Sequence, residues 1–350
     1  MDPLTHMLTG ACMSRAGLNR KTTLATLTLV LSAEVSDLDF LAYFGGPVFG
    51  FAHHRGITHT FLGVPVMAAL ALGMVWVLNR LLVRWKRPPA KGGPPRWGLL
   101  YGYACLGALS HILLDFTNNY GVRPFAPFYP RWFSWDIVSI VEPLLLLPLL
   151  AGLIVPSLFR LIQEEVGARR AGPRGRGGAI FALVCVLVLW GLRDFEHRRA
   201  VAALESRLYH GAEPLRVSAY PYDTNPFLWY GVVETQDSFE TMHVDSLTPE
   251  VDPRDRARIR YKPEETPASL AAKKSYLGRV YLDWSQYPML EVEQPAASGG
   301  QARYLVRFYD LRYDYPERRS RVLNASVELD EQLRVIAAHF GRFTQRRNLD

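Results

Sequence analysis

Four apolar runs, Thr60–Asn79, Trp97–Leu114, Ile137–Phe159 and Gly177–Leu192, constrain this chain more than any other feature. A bilayer crossing takes about 20 predominantly apolar residues in a helix. Lipid offers the backbone no hydrogen-bond partners, so helices are what such runs form. Several of the runs are short or carry a polar residue: His111 lies in the second and Glu142 in the third. An ionisable group inside a span is costly and marks function. After residue 193 the composition turns mixed and charged, rich in Tyr, Val and Arg. The 350 residues have room for two domains. The prediction is a helical membrane domain over 1–193, carrying the site, and a soluble domain over 194–350.

The basic residues of the first part fall in two loops. Arg80, Arg84, Lys86, Arg87, Lys91 and Arg96 lie between the first two runs, and Arg160, Arg169, Arg170, Arg174 and Arg176 between the last two. Positive loops stay cytoplasmic, so the opposite helix ends and the C-terminal domain are expected to face outward. Pro3–Gly17 and Thr22–Ser36 read as a short helical hairpin turning at Arg15, Arg20 and Lys21 on the cytoplasmic side. The net charge of +7 is thereby a topology signal, and nucleic acid is not an expected partner. Nothing in Met1–Leu18 has the basic start of a secretory signal peptide. Cys12, Cys105 and Cys185 are single and inside apolar segments, which leaves neither a disulfide framework nor a thiolate zinc site.

Under this topology His6, Asp37, Asp39, His53, His54, His59, His111 and Asp115 fall at one level, near the outward helix ends. His111 and Asp115 are spaced i, i+4 and share a helical face. Imidazole and carboxylate together suit zinc, manganese or iron. Asp37 and Asp39 end an apolar stretch, where two like charges beside a membrane call for a cation. In HHRGITH, Gly56 breaks the run, so His54 and Arg55 are expected in a loop and His59 in the first turn of the next helix. Arg55 has no acidic partner in its own loop, and its planar fork suits a phosphate or carboxylate oxygen. Each piece has an ordinary reading by itself, as a helix end, a solvated turn or a basic interface loop. One metal centre accounts for all of them together. Two ions about 3.5–4 Å apart would use this many donors, and one catalytic zinc with outer aspartates is the economical alternative. No HExxH occurs, so a zincin-type protease is not indicated.

THMLTG at 5–10, SDLD at 36–39, HRGITHT at 54–60 and HILLDFTNNYGVRPFAPF at 111–128 resemble the membrane-bound metal-dependent hydrolases, the YdjM-like inner-membrane proteins. The resemblance covers about residues 1–160. It implies a multi-pass α-helical inner-membrane domain, a metal-dependent hydrolase, and His6, Asp37, Asp39, His54, His59, His111 and Asp115 as metal ligands. Ser36 stands where the family usually has proline before DxD, and Glu142-Pro143 stands at a later Asp-Pro, so Glu142 is carried over with the site.

The C-terminal part shows the β-like runs LRVSAY, FLWYGVVET, FETMHVDS, GRVYLDW, ARYLVRFYDLRY, RVLNASVEL and LRVIAAHF, with a helical interlude near Pro267–Tyr276. β-Branched and aromatic runs separated by Pro, Gly, Asp and Asn predict a mainly antiparallel sheet. His197, His210, His243 and His339 have no ligand spacing and read as surface or packing residues.

The expected function is hydrolysis of a phosphoester or ester bond in a membrane lipid or lipid-linked substrate at the outer bilayer surface. It would use one or two divalent ions, zinc first, with manganese or magnesium as alternatives. Arg55 is the expected anion clamp, Asp39 or Asp115 the general base, and Glu142 a further acidic site residue. The rival is a metal-dependent binding, transport or scaffold protein of the cell envelope without hydrolase activity. A transporter places its ionisable groups near the midplane, whereas these cluster at one level.

Overall fold

A computed structural model describes residues 1–85, 93–165, 175–253, 255–294, 304–317 and 322–345. Its helices are α1 (Pro3–Arg15), α2 (Ala25–Ser32), α3 (Pro47–His53), α4 (Gly63–Arg84), α5 (Trp97–Thr117), α6 (Pro143–Glu165), α7 (Arg176–Glu205), α8 (Pro267–Lys274) and α9 (Tyr276–Trp284). The strands are β1 (Arg216–Pro221), β2 (Leu228–Glu234), β3 (Ser238–Asp245), β4 (Glu250–Val251), β5 (Arg258–Tyr261), β6 (Pro288–Glu293), β7 (Tyr304–Asp310), β8 (Ala325–Leu329), β9 (Val335–Phe340) and β10 (Phe343–Gln345). The chain is thus helical and apolar first, then antiparallel β. Two compact units form. One holds Met1–Leu38, Arg55–Glu196 and Pro221–Pro226, and the other holds Asp39–His54, His197–Tyr220 and Phe227–Asp350.

The helices α4, α5 and α7 are long and apolar enough to cross a membrane. The third expected run is shorter than predicted. Pro143 starts α6, so Ile137–Glu142 are not helical, and the apolar helix is Pro143–Phe159. Proline accounts for the new start, because it fits the first helical turn and disfavours helix in the residue before it. Lys86, Arg87, Lys91, Arg169, Arg170 and Arg174 lie outside the described residues.

The expected hairpin forms as α1 and α2, joined by a 3-10 turn at Leu18–Arg20. Asp2 sets the start of α1: its carboxylate accepts from Thr5 N at 3.0 Å and from Thr5 Oγ1 at 2.6 Å, with Pro3 in the first turn. Two glycines bring the hairpin and α5 together. A Cβ on Gly10 would lie 2.6 Å from the Leu29 carbonyl oxygen, and one on Gly107 would lie 2.0 Å from Ser32 Oγ and 3.1 Å from the same Leu29 oxygen. Helix backbones approach this closely only where no side chain intervenes. His6 precedes Gly10 by four residues and His111 follows Gly107 by four. The same contacts against α2 therefore bring the two imidazoles together, stacked at 3.8 Å between ring centres.

In the second unit β1-β2-β3-β4 form one antiparallel sheet, with β5 also pairing β3. The order β10-β9-β8-β7-β6 forms the other. GRVYLDW, expected as a strand, is the body of α9. The Ser275 hydroxyl caps this helix by accepting from Gly278 N at 3.0 Å. Leu277, Tyr281 and Trp284 are buried at a spacing of three to four, so helical periodicity overrides strand propensity. The segment Asp39–His54 belongs to this unit through α3. Phe51 stacks on Phe340 at 4.2 Å and meets Trp284 edge-on at 5.4 Å, and Val48 N donates to Gln345 Oε1 at 3.2 Å. The histidines of this part find ordinary partners: His210 faces Glu240 at 3.4 Å, His243 faces Glu317 at 2.7 Å and His339 faces Glu328 at 2.8 Å.

Candidate metal centre

Four of the seven expected ligands converge. Donor atoms of Asp37, His59, His111 and Asp115 all lie within 4.8 Å of one another. They come from the 3-10 segment Val35–Gly45, from the 3-10 turn Ile57–His59 just before α4, and from adjacent turns of α5. His59 Nε2 and His111 Nε2 face each other at 3.0 Å. Asp37 Oδ1 is 3.4 Å from each of these nitrogens. Asp115 Oδ2 is 3.3 Å from His59 Nε2 and 3.4 Å from His111 Nε2.

Hydrogen bonds on the far side of the rings orient them. His111 Nδ1 donates to the Ala33 carbonyl at 2.6 Å. A carbonyl only accepts, so Nδ1 holds the proton of the neutral ring and Nε2 carries the lone pair. His59 Nδ1 lies 2.9 Å from Thr58 Oγ1, again leaving Nε2 toward the group. A ligand imidazole held through its other nitrogen is the usual arrangement at metal sites.

Asp115 divides its two oxygens between different tasks. Oδ1 receives Arg55 Nη2 at 2.7 Å and Asn118 Nδ2 at 3.4 Å, lies 3.5 Å from His6 Nε2, and contacts the α-amino group of Met1. Oδ2 is buried without a hydrogen bond and faces the two imidazoles. A buried carboxylate oxygen left in this way costs stability, and a cation among the four donors would satisfy it. The donor set, two imidazoles and two carboxylates, fits zinc and its first-row neighbours. Asp37 is the accessible member, with its side chain 29% exposed, while the other three are buried.

The remaining expected residues are placed differently. His6 stacks on His111 and is buried, with neither ring nitrogen hydrogen-bonded, but it is not one of the four. Asp39 and His54 pair with each other at 3.2 Å in the second unit. His53 Nδ1 is 2.9 Å from Phe49 O. Glu142 is buried against Arg193 at 3.1 Å and also accepts from Ser139 N at 3.3 Å. Arg193 also donates to the carbonyls of Tyr222 at 2.9 Å and Asn225 at 3.2 Å. Arg55 does have an acidic partner, one supplied by α5 rather than by its own loop. It is buried and donates to Gly121 O at 2.8 Å and Asn118 Oδ1 at 3.3 Å, with its guanidinium 4.6 Å from the Tyr120 ring centre.

Ala33, Asn118 and Tyr120 also support the site, through contacts to His111 and Arg55 that no local spacing in the sequence marks. Asn118 and Tyr120 lie within the 111–128 motif.

No curated protein and no solved structure matches the chain. The family model described as YdjM inner membrane protein matches residues 1–200, a span that holds all four converging donors and all four apolar runs in full. With α4, α5 and α7 apolar enough to cross a bilayer and that model covering more than half of the sequence, the chain belongs to the YdjM inner membrane protein family.

Proposed function

We propose that this protein is a membrane-bound, metal-dependent hydrolase that cleaves a phosphoester or ester bond in a lipid or lipid-linked substrate at the outer bilayer surface. The observation that carries the reading is the convergence of Asp37, His59, His111 and Asp115 around a carboxylate oxygen that has no hydrogen bond. These four residues would hold one divalent ion, zinc by their chemistry. When bound, such an ion supplies Lewis acidity toward a phosphoryl or carbonyl oxygen and makes water acidic enough to be a nucleophile near neutral pH.

The chain's own groups do the rest. Ala33 and Thr58 orient the two imidazoles, and Arg55 fixes Asp115 so that only Oδ2 turns inward. Asp37, the accessible member, marks the side from which substrate approaches. The lipid assignment follows from the site's place in a membrane family, where head groups are the most concentrated esters. The outward orientation follows from the basic loops.

The test is turnover by the purified full chain in lipid nanodiscs on phosphodiesters, phosphomonoesters and carboxylic esters, with zinc, manganese or magnesium added. Metal-dependent hydrolysis lost in Asp37→Asn supports the proposal. A metal-loaded wild type that hydrolyses none of these classes removes it. A reporter fused after Asp350 should score extracytoplasmic, and a cytoplasmic score would withdraw the outer-surface assignment.

A further inference from the structure

We infer that the loop joining α5 to α6 is a lipid-interface anchor, with Phe125, Phe128 and Tyr129 entering the bilayer surface and Arg131 at head-group level. Val122 and Phe133 exchange two backbone hydrogen bonds, each 2.8 Å, and pinch the residues between them into a closed excursion. The excursion is tied to the start of α4. Phe61 N donates to Pro124 O at 2.9 Å, and the Phe61 ring meets Phe125 edge-on at 5.4 Å. The ring contacts continue from Phe125 to Phe133 at 5.6 Å and from Phe133 to Tyr129 at 6.0 Å.

Phe128 stands 86% exposed, and Phe125 and Tyr129 are exposed beside it. Large aromatics gathered in the open mark a surface that something covers. The occupant here is lipid, because the loop continues an apolar surface that a membrane helix already turns outward. Leu62 and Val66 at the start of α4 are exposed, as are Leu70, Met74 and Leu81 farther along it. The polar members of the loop match head groups. Arg131 donates to the Tyr129 hydroxyl at 2.8 Å, and the Arg123 guanidinium lies 4.5 Å from the Trp132 ring centre. Aromatic rings with cations at their rim are the composition of the membrane–water boundary, and arginine meets the phosphates there.

The anchor stands on the membrane reading alone and does not depend on hydrolysis. It does bear on the site. Asn118 and Gly121, at the root of the same loop, hold Arg55, and Arg55 holds Asp115. The depth at which the loop rests therefore fixes the level of the metal centre relative to the head groups.

The experiment uses the wild-type full chain in nanodiscs of phosphatidylethanolamine and phosphatidylglycerol. Hydroxyl-radical footprinting compares Tyr129 with Tyr261 and Phe128 with Phe343, both controls being exposed residues of the second unit. A phospholipid carrying a diazirine high on its acyl chain is photolysed in parallel. The expected result is oxidation of Phe128 and Tyr129 several-fold slower than their controls, with lipid cross-links on the peptide 123–133. Oxidation as fast as the controls overturns the anchor. Protection without lipid cross-links also overturns it, because a protein surface then covers the loop.

Discussion

His59 and His111 face each other through their Nε2 atoms at 3.0 Å, although the two residues are 52 positions apart in the chain. Since His111 keeps its proton on Nδ1 for Ala33, its Nε2 lone pair points into the group. The full chain isolated without chelators should therefore carry about one divalent ion. His111→Ala and Asp115→Ala should reduce the content to background, while His54→Ala and Glu142→Gln should retain it, because those two residues pair elsewhere. Elemental analysis on quantified protein reads this directly. An ion-free wild type would end the metal reading.

Arg55 is expected to act through Asp115. Arg55→Ala leaves a buried carboxylate without its main cation, a loss of roughly 3–5 kcal/mol when one partner of a buried pair is removed. Arg55→Lys should recover part of that, since lysine keeps the charge and loses the forked contacts to Gly121 and Asn118. Melting temperature, metal content and turnover on the same preparations separate the roles. An anion clamp would lose turnover at unchanged stability and metal content; a positioning residue would lose all three together.

Gly10 and Gly102 give a matched pair. The new methyl of Gly10→Ala would meet the Leu29 carbonyl at 2.6 Å, whereas Gly102→Ala meets nothing within 4 Å. The first should cost about 1–3 kcal/mol by overpacking and lower metal content, because the Gly10 contact brings His6 and His111 together. The second should be neutral or stabilise by up to about 1 kcal/mol, the helix preference of alanine over glycine. Thermal unfolding and metal analysis of both variants check this. Equal effects would mean that the close approach of α1 and α2 does not control the site.

In the second unit, Asp310 supplies a pH dependence. Burial by itself would push its carboxyl up, but Arg312 and the Ser285 hydroxyl override this and hold it below the ordinary value near 3.8. Arg312 Nη2 lies 2.9 Å and Ser285 Oγ 2.6 Å from Asp310 Oδ2. A lowered folded value means that the ionised group stabilises the fold above the unfolded value, and that this contribution is lost as pH falls through the folded one. The sheet around β6 and β7 should hold from neutral pH down to about 4 and weaken below it. Asp310→Asn should flatten that acid limb and weaken the sheet at neutral pH. Amide exchange of β6 and β7 in the full chain measures both, and an unchanged acid limb in Asp310→Asn would refute the assignment.

The sequence by itself determined the class of fold and the chemistry of the site. Apolar runs near bilayer length must be helical, because lipid cannot satisfy an open backbone, and α4, α5 and α7 follow from that rule. The i, i+4 spacing put His111 and Asp115 on one face before any tertiary contact existed. Tertiary structure decided which donors meet. One residue separates Asp37 from Asp39, yet they fall in different units, because α3 buries Phe51 against Phe340 and carries Asp39 and His54 with it. No local pattern encodes that choice, since it depends on a strand that lies nearly 300 residues away. Nor could spacing show that the acidic partner of Arg55 comes from α5, or that GRVYLDW would bury one helical face in preference to its strand propensity. Local sequence fixes backbone type and donor chemistry, whereas the pairing of donors is settled by close contacts such as those of Gly10 and Gly107 on Leu29, which exist only once the helices pack.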